Sequence, residues 1–338
     1  MKVLVYFQPS PKHDNFEGAR MRKTIKGALE VINQSYTSNL YGDYEIAHFM
    51  SPDDENKLNI VLERKVPVVV SALFGEDDPS TRFLNHKIKD GKPIATLKPK
   101  ALRLLNKASL VLVPCESAKE LLIKNGVNRP IEIVLPGINL ARFNFSREDE
   151  KELFYRYFRE DNNKKLVLAM GEYTNNMEGI HSLINAAKNR EDTVFYYIGC
   201  ETFAANYGNC KRIIKSAPKN MHFKTILPDD IYRSMLLNAD VFMLPGKNLS
   251  GIISIEEAMA ANCQLIVRNS AVFPEFLNQE TAYIAEHSNE LTSLCLDYLD
   301  NKIKSTTKEA YQKISLYNLE YFGHQLIDIY SSLLTDNK

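Results

Sequence analysis

A basic segment in the N-terminal half of the chain combines charge with apolar residues in a way that predicts binding to an acidic surface. Between residues 80 and 115 the one acid is Asp90 and there are eight bases, which gives a local charge of +7. Leu104, Leu105 and other apolar residues lie among the bases. A basic amphipathic segment of this kind binds anionic lipid, with each base contributing about 1 kcal/mol near the membrane. The bases predicted to contact a membrane or a lipid acceptor are Lys98, Lys100, Arg103 and Lys107.

The basic segment is also consistent with two structures that involve no lipid. It could be the solvated flank of a helix whose Leu104 and Leu105 face the core, or a docking surface for an acidic protein partner. The formal net charge of the whole chain is zero, so we expect no molecule-wide field for nucleic acid.

Cysteine and histidine chemistry is not indicated. The five cysteines are widely spaced without a CxxC pair, and the seven histidines form no metal-type pair. We therefore expect no disulfide framework, no metal and no resident cofactor, and the cytosol is the simplest compartment. The opening run, MKVLVYFQPSP, is too short for a signal peptide, and no stretch of about 20 apolar residues follows it. Any membrane contact is thus expected to be peripheral, at the inner face.

Short apolar runs alternate with helical patterns, which predicts parallel βαβ units. The predicted N-terminal strands are Lys2–Phe7, Glu45–Phe49, Pro67–Leu73, Leu110–Pro114 and Ile131–Leu135. A second series follows with strands at Lys165–Met170, Thr193–Ile198, His222–Thr225, Val241–Leu244 and Gln264–Arg268. The charged segment between residues 144 and 164 separates the two series as a connector. The sequence thus predicts an α/β protein with domains at 1–145 and 146–310 and a C-terminal helix at 311–338 that packs back on the first domain.

The segment from Asp240 to Leu277 carries a resemblance to a known family. Its elements DVFMLP, EAMA, LIV and Pro274-Glu275 resemble, in order, the nucleotide-sugar end of the retaining glycosyltransferases of family 4. The runs ASLVLVPCESAKELL and IVLPGINLARF resemble two further family motifs, so the similarity spans most of the chain. The nearest branch is that of the bacterial diacylglycerol and glycolipid hexosyltransferases. In that branch a glycine-rich N-terminal loop is similar to FEGAR in this chain. This similarity implies that Gly18 and Arg20 also lie on the side of the acceptor or membrane.

This resemblance implies a GT-B fold, in which two Rossmann-like domains face each other across a cleft. It implies that a UDP-sugar donor binds the C-terminal domain and that Glu257 holds the ribose hydroxyls. Glu256 beside it is expected on an exposed helix face. The residues assigned to the nucleotide sugar are Gly171, Thr174, Ser250, Gly251, Glu257, Arg268 and Glu275.

Four positions depart from the family pattern. The family's Arg position is occupied by Glu172, or by Met177 on the pattern of the diacylglycerol branch, and its Lys position by Glu178. Leu249 replaces the first glutamate of its E-x7-E pair, and Leu73 replaces its N-terminal histidine. Carboxylates near a diphosphate repel it by about 1–4 kcal/mol per contact.

Two functions follow from this mixture of match and departure. One is hexosyl transfer from a nucleotide sugar to a lipid or saccharide. The other is a catalytically silent homologue that binds a glycosyltransferase partner chain or a membrane. A basic residue near Glu172 and Glu178 would favour the first. A phosphorylase shares the fold but would need a pyridoxal lysine motif, which the sequence does not show.

Overall fold

The computed structural model describes most of the chain as two parallel six-stranded sheets and a separate two-stranded sheet. The described residues are 1–6, 17–52, 54–72, 84–89, 92–143, 148–171, 177–199, 208–225, 227–246, 251–270 and 274–335.

The N-terminal sheet forms from short apolar runs that are buried on both faces. Its strands are β1 (Val3–Tyr6), β2 (Tyr36–Thr37), β3 (Ile46–Phe49), β4 (Val68–Ser71), β7 (Leu110–Val113) and β8 (Ile131–Ile133), in the order β2-β1-β3-β4-β7-β8. Every residue of β1, β3, β4 and β7 is buried, as is typical of parallel strands covered by helices. The helices of this half are α1 (Glu17–Val31), α2 (Glu55–Glu63), α3 (Pro99–Leu105) and α4 (Glu116–Lys124).

The C-terminal sheet repeats this architecture. Its strands are β9 (Lys165–Met170), β10 (Thr193–Ile198), β11 (Met221–Lys224), β12 (Val241–Leu244), β13 (Gln264–Arg268) and β14 (Tyr283–Ala285), in the order β11-β10-β9-β12-β13-β14. The helices that follow residue 143 are α5 (Glu148–Phe158), α6 (Met177–Lys188), α7 (Gly208–Lys215), α8 (Asp229–Asn238), α9 (Ile252–Ala260), α10 (Ser288–Leu299), α11 (Thr307–Ser315) and α12 (Leu319–Thr335).

The predicted α/β fold class is confirmed. Strands β9, β10, β12 and β13 begin and end at the predicted residues, because each is a buried apolar run bounded by polar residues. In the N-terminal half the strands are shorter than predicted by one to three residues. Phe7 and Leu73, predicted as strand ends, lie outside the described residues.

The structure contains a β-hairpin that the strand pattern of the sequence does not predict. Strands β5 (Leu84–Lys89) and β6 (Lys92–Leu97) pair antiparallel, with Lys89 opposite Lys92. The basic segment is therefore a hairpin followed by the short helix α3, and not one amphipathic stretch. The sequence signal for the hairpin is Asp90-Gly91, a dipeptide that favours two-residue hairpin loops.

The C-terminal helical stretch crosses from one half of the molecule to the other. Helix α11 packs on α9, and α12 packs on α1 of the N-terminal half. The crossing lies between Ser315 and Leu319, where Ile138 bridges to Asn318. A Cβ atom on Gly323 of α12 would lie 2.7 Å from the Ala28 carbonyl oxygen, so glycine permits the close approach of α12 to α1. The predicted crossing-back helix is thus confirmed.

A buried histidine joins α12 to the N-terminal sheet. His48 of β3 is fully buried, with Nδ1 2.7 Å from Tyr330 Oη of α12 and Nε2 2.7 Å from Ser71 Oγ of β4. Burial lowers the pKa of His48 to about 3, so the ring is neutral in the folded protein.

This histidine makes the stability of the protein depend on pH. The unfolded chain protonates His48 near pH 6.5 whereas the folded chain does not, so the unfolded state binds more protons and stability falls as the pH drops below 6.5. Between pH 7 and pH 5, protonation of His48 in the unfolded chain lowers the free energy of unfolding of the wild type by about 2 kcal/mol. We expect the His48→Gln variant to lack this decrease. Urea denaturation at both pH values measures it, with His181→Gln, an exposed histidine of α6, as the control. Equal pH slopes for the wild type and His48→Gln would contradict this expectation.

Candidate functional site

The carboxyl edges of the two sheets face each other. Glu275, which follows β13, reaches the N-terminal half, where its Oε1 accepts a hydrogen bond of 2.6 Å from the backbone N–H of Glu116. That N–H opens α4 directly after β7, so the carboxylate lies at the positive end of a helix dipole. Ligands of open α/β sheets bind at the carboxyl ends of the strands, and this cleft is therefore the candidate site.

Helix α9 forms the floor of the cleft on the C-terminal side. It follows β12 after Gly251, whose φ of 51° is in the left-handed region that favours glycine. All nine residues of α9 are buried, including Glu256 and Glu257. The expectation that Glu256 lies on an exposed face is wrong, because α1 and α11 cover the sides of α9.

Glu257 forms a buried ion pair with Arg20 across the cleft. Arg20 lies in the first turn of α1, and its Nη1 donates to Glu257 Oε2; both residues are 3% exposed. Arg20 Nη2 also donates to Ser254 Oγ at 2.9 Å, and the guanidinium lies 5.2 Å from the ring centroid of Tyr232. Charge pairing, hydrogen bonding and a cation–π contact together compensate the burial of two charges.

The position of Arg20 differs from that expected of an acceptor or membrane contact. It is buried between the two halves, and Gly18 is buried beside it in the same turn. No sequence spacing could pair Arg20 with Glu257, because they are 237 residues apart in the chain.

A second cation lies at the carboxyl edge of β13. Arg268 Nη1 donates to Ser288 Oγ at 2.5 Å, and Ser288 Oγ donates to Glu178 Oε2 at 3.1 Å. Burial lowers the pKa of Arg268, while the carboxylates of Glu178, Glu290 and Glu286 oppose that shift. Glu178, one of the positions that depart from the family pattern, thus has a basic neighbour in the folded protein.

Glycine ends the strand that leads into this edge. Gly171 follows β9 with a φ of 151°, and its carbonyl oxygen would lie 2.6 Å from a Cβ atom on Gly199 at the end of β10. A side chain on Gly199 would therefore separate the two strand ends. Five of the positions singled out from sequence lie outside the described residues: Leu73, Glu172, Thr174, Leu249 and Ser250.

The predicted basic residues lie on a separate surface. Lys98, Lys100, Arg103 and Lys107 surround α3, which we call the α3 basic face; Arg103 and Lys107 approach Glu55 of α2 at 3.5 and 3.4 Å. The apolar residues between these bases, among them Leu104 and Leu105, are buried in the core of the N-terminal half. Leu104 and Leu105 therefore face the core, as the alternative of a solvated helix flank predicts.

Within the described residues no helix is long and apolar enough to cross a membrane. Over the same ranges, no three His, Cys, Asp or Glu side chains gather as ligands of a metal ion would.

The fold and its cleft define a GT-B glycosyltransferase architecture, and comparison with solved structures agrees. The Anabaena protein HepE, solved with UDP and glucose, superposes with a TM-score of 0.71 over 98% of this chain and 100% of that chain, at 13% identity. No protein-family model matches the chain.

The homologues of this chain are diacylglycerol glycosyltransferases. It is 23% identical to the processive diacylglycerol alpha-glucosyltransferase of Acholeplasma laidlawii over 337 residues, which is 99% of each protein. It is 24% identical to the alpha-galactosylglucosyldiacylglycerol synthase of Streptococcus pneumoniae over 50% of this chain and 45% of that protein.

Proposed function

We propose that the protein transfers a hexosyl group from a UDP-sugar to a diacylglycerol-type lipid at the inner face of a membrane. The observation that carries the proposal is the buried carboxylate of Glu257 on α9, within a GT-B cleft. Similarity to a diacylglycerol glucosyltransferase along the whole chain supports the acceptor class, and the UDP-bound structural neighbour supports the donor class.

Glu257 would accept hydrogen bonds from the ribose hydroxyls of the donor. The diphosphate would then lie toward the amino end of α9, where backbone N–H groups and the helix dipole favour negative charge. Arg268 is the described cation on the neighbouring strand end, and it moderates the repulsion that Glu178 alone would exert. Retention of anomeric configuration and membership of family 4 belong to this proposal through the sequence resemblance.

The silent-homologue alternative is not favoured. It depends on acids and leucines replacing the polar donor contacts, and a basic residue beside Glu178 is the feature that argues against it. Arg268 supplies that feature. The relatives along the chain carry the names of active transferases.

Membrane association would be electrostatic and peripheral. The α3 basic face presents Lys100 and Arg103 to solvent, whereas Leu104 and Leu105 are buried. The contact would therefore rest on attraction to anionic lipid headgroups. Such contact would bring the lipid acceptor to the cleft.

Donor binding and turnover test this proposal directly. Calorimetric titration with UDP, followed by assay of UDP-glucose and UDP-galactose with diacylglycerol in mixed micelles, is expected to show micromolar binding and a glycolipid product. Glu257→Gln should weaken UDP binding by about 10- to 100-fold, since a hydrogen bond to a charged acceptor contributes about 1.5–3 kcal/mol.

The matched control is Glu309→Gln, an exposed glutamate of α11, which should bind UDP like the wild type. A folded wild-type protein that binds no UDP and no UDP-sugar would overturn the proposed function and restore the silent-homologue alternative.

A further inference from the structure

Arg20 belongs to the N-terminal half, yet its guanidinium binds the C-terminal half. It contacts Glu257 and Ser254 on α9 and the hydroxyl of Tyr232 on α8, the last at 3.3 Å. Arg20 is 3% exposed, so these contacts exclude bulk water. Because Arg20 and Glu257 belong to different halves, the packing of the halves against each other sets the position of the Glu257 carboxylate.

The ion pair leaves capacity on the carboxylate for a ligand. An ionised carboxylate has about four lone-pair sites, and the contact between Arg20 and Oε2 uses one of them. The remaining lone-pair sites are enough in number for two ribose hydroxyls, which requires Glu257, 3% exposed in this structure, to become accessible to the nucleotide while Arg20 keeps its contact. Arg20 would hold the carboxylate in orientation, because a buried carboxylate without a cation is strongly disfavoured.

A direct contact between Arg20 and the diphosphate is less consistent with this geometry. Nη1 and Nη2 are already directed at α8 and α9, and the contact with Glu257 is at the second turn of α9, whereas the diphosphate would lie toward its first residues. Moving the guanidinium to a phosphate would leave Glu257 buried and unpaired.

We propose that Arg20 is a positioning residue that aligns Glu257 for the ribose hydroxyls and so makes nucleotide binding depend on the docked arrangement of the two halves. This inference rests on the proposed function, because it takes Glu257 as the ribose contact.

Removing the ribose hydroxyls separates this role from a structural one. The Kd values of UDP and of 2′,3′-dideoxyuridine 5′-diphosphate are measured by calorimetry for the wild type, Arg20→Gln and Arg20→Lys. Arg20→Gln is expected to weaken UDP by about 10- to 100-fold but the dideoxy ligand by less than about 3-fold. Arg20→Lys, which keeps the charge without the planar fork, should recover part of the UDP affinity.

Arg142→Gln provides the matched control. Arg142 forms another ion pair between the halves, at 2.9 Å from Asp229, and its partner is Asp229 and not Glu257. Its loss should leave the affinities of both ligands unchanged. If Arg20→Gln does not fold, Arg20→Lys is compared with the wild type on the same two ligands, with a loss confined to UDP expected.

Equal loss of both ligands in the Arg20 variants would overturn the inference in favour of a structural role or a phosphate contact. Unchanged affinity for UDP would overturn it as well. In both cases wild-type binding of UDP leaves the proposed function standing. A wild type that binds neither ligand refutes the proposed function itself, and the inference falls with it.

Discussion

Glu257→Leu is expected to lower the free energy of unfolding by about 3–5 kcal/mol, because it leaves the guanidinium of Arg20 buried without a counter-charge. Ser254 and Tyr232 would still accept hydrogen bonds from Arg20, but neither carries negative charge. Arg20→Met should cost a similar amount by leaving the carboxylate unpaired. Guanidinium chloride denaturation followed by circular dichroism measures both.

The double variant Arg20→Met/Glu257→Leu tests whether the loss of stability comes from a buried charge that is left without its partner. Since it removes both charges together, its cost should be smaller than the sum of the single losses by about 2–3 kcal/mol. Asp229→Asn is the control, because it breaks the half-exposed Arg142–Asp229 pair between the same halves and should cost about 1 kcal/mol or less. Additive effects of the two core substitutions would show that the buried pair is not coupled.

Neutralising the α3 basic face is expected to weaken binding to anionic vesicles by about 150-fold. The variant replaces Lys98, Lys100, Arg103 and Lys107 with glutamine. Each base near the membrane contributes about 1 kcal/mol, and the carboxylate of Glu55 lowers the combined contribution of Arg103 and Lys107, so we expect about 3 kcal/mol from the four bases together. Sedimentation with vesicles containing phosphatidylglycerol measures the loss, and vesicles of phosphatidylcholine alone should bind neither protein.

A matched set on the C-terminal half is the control for total charge. Lys188, Lys211, Arg212 and Lys215 are exposed on α6 and α7 and are likewise three lysines and one arginine. Their replacement with glutamine should leave vesicle binding within about 3-fold of the wild type, because the α3 basic face stays intact. Equal losses in both variants would assign membrane binding to net charge and not to the α3 basic face.

The sequence determined strands β9, β10, β12 and β13 of the C-terminal half because their information is local, whereas the short edge strand β14 was not predicted. A run such as LPG after VFM, or GE after VLAM, marks a buried parallel strand and its end without reference to any other part of the chain. The resemblance around Glu257 likewise depends on about forty consecutive residues. Asp90-Gly91 shows that a local signal can also be missed, since it indicates the hairpin β5–β6 that the amphipathic interpretation leaves out.

The tertiary structure decided which residues meet. The sequence placed Arg20 with a lipid acceptor and Glu257 with a nucleotide, and it provided no reason to join them. Only the packing of α1 against α9 brings the two charges into contact, and their burial then requires the pair. In the same way, only the fold decided that Leu104 and Leu105 face the core, an alternative that the sequence had left open. Residue types and local periodicity are carried by the chain itself, whereas desolvation and the pairing of distant charges exist only once the two halves have docked.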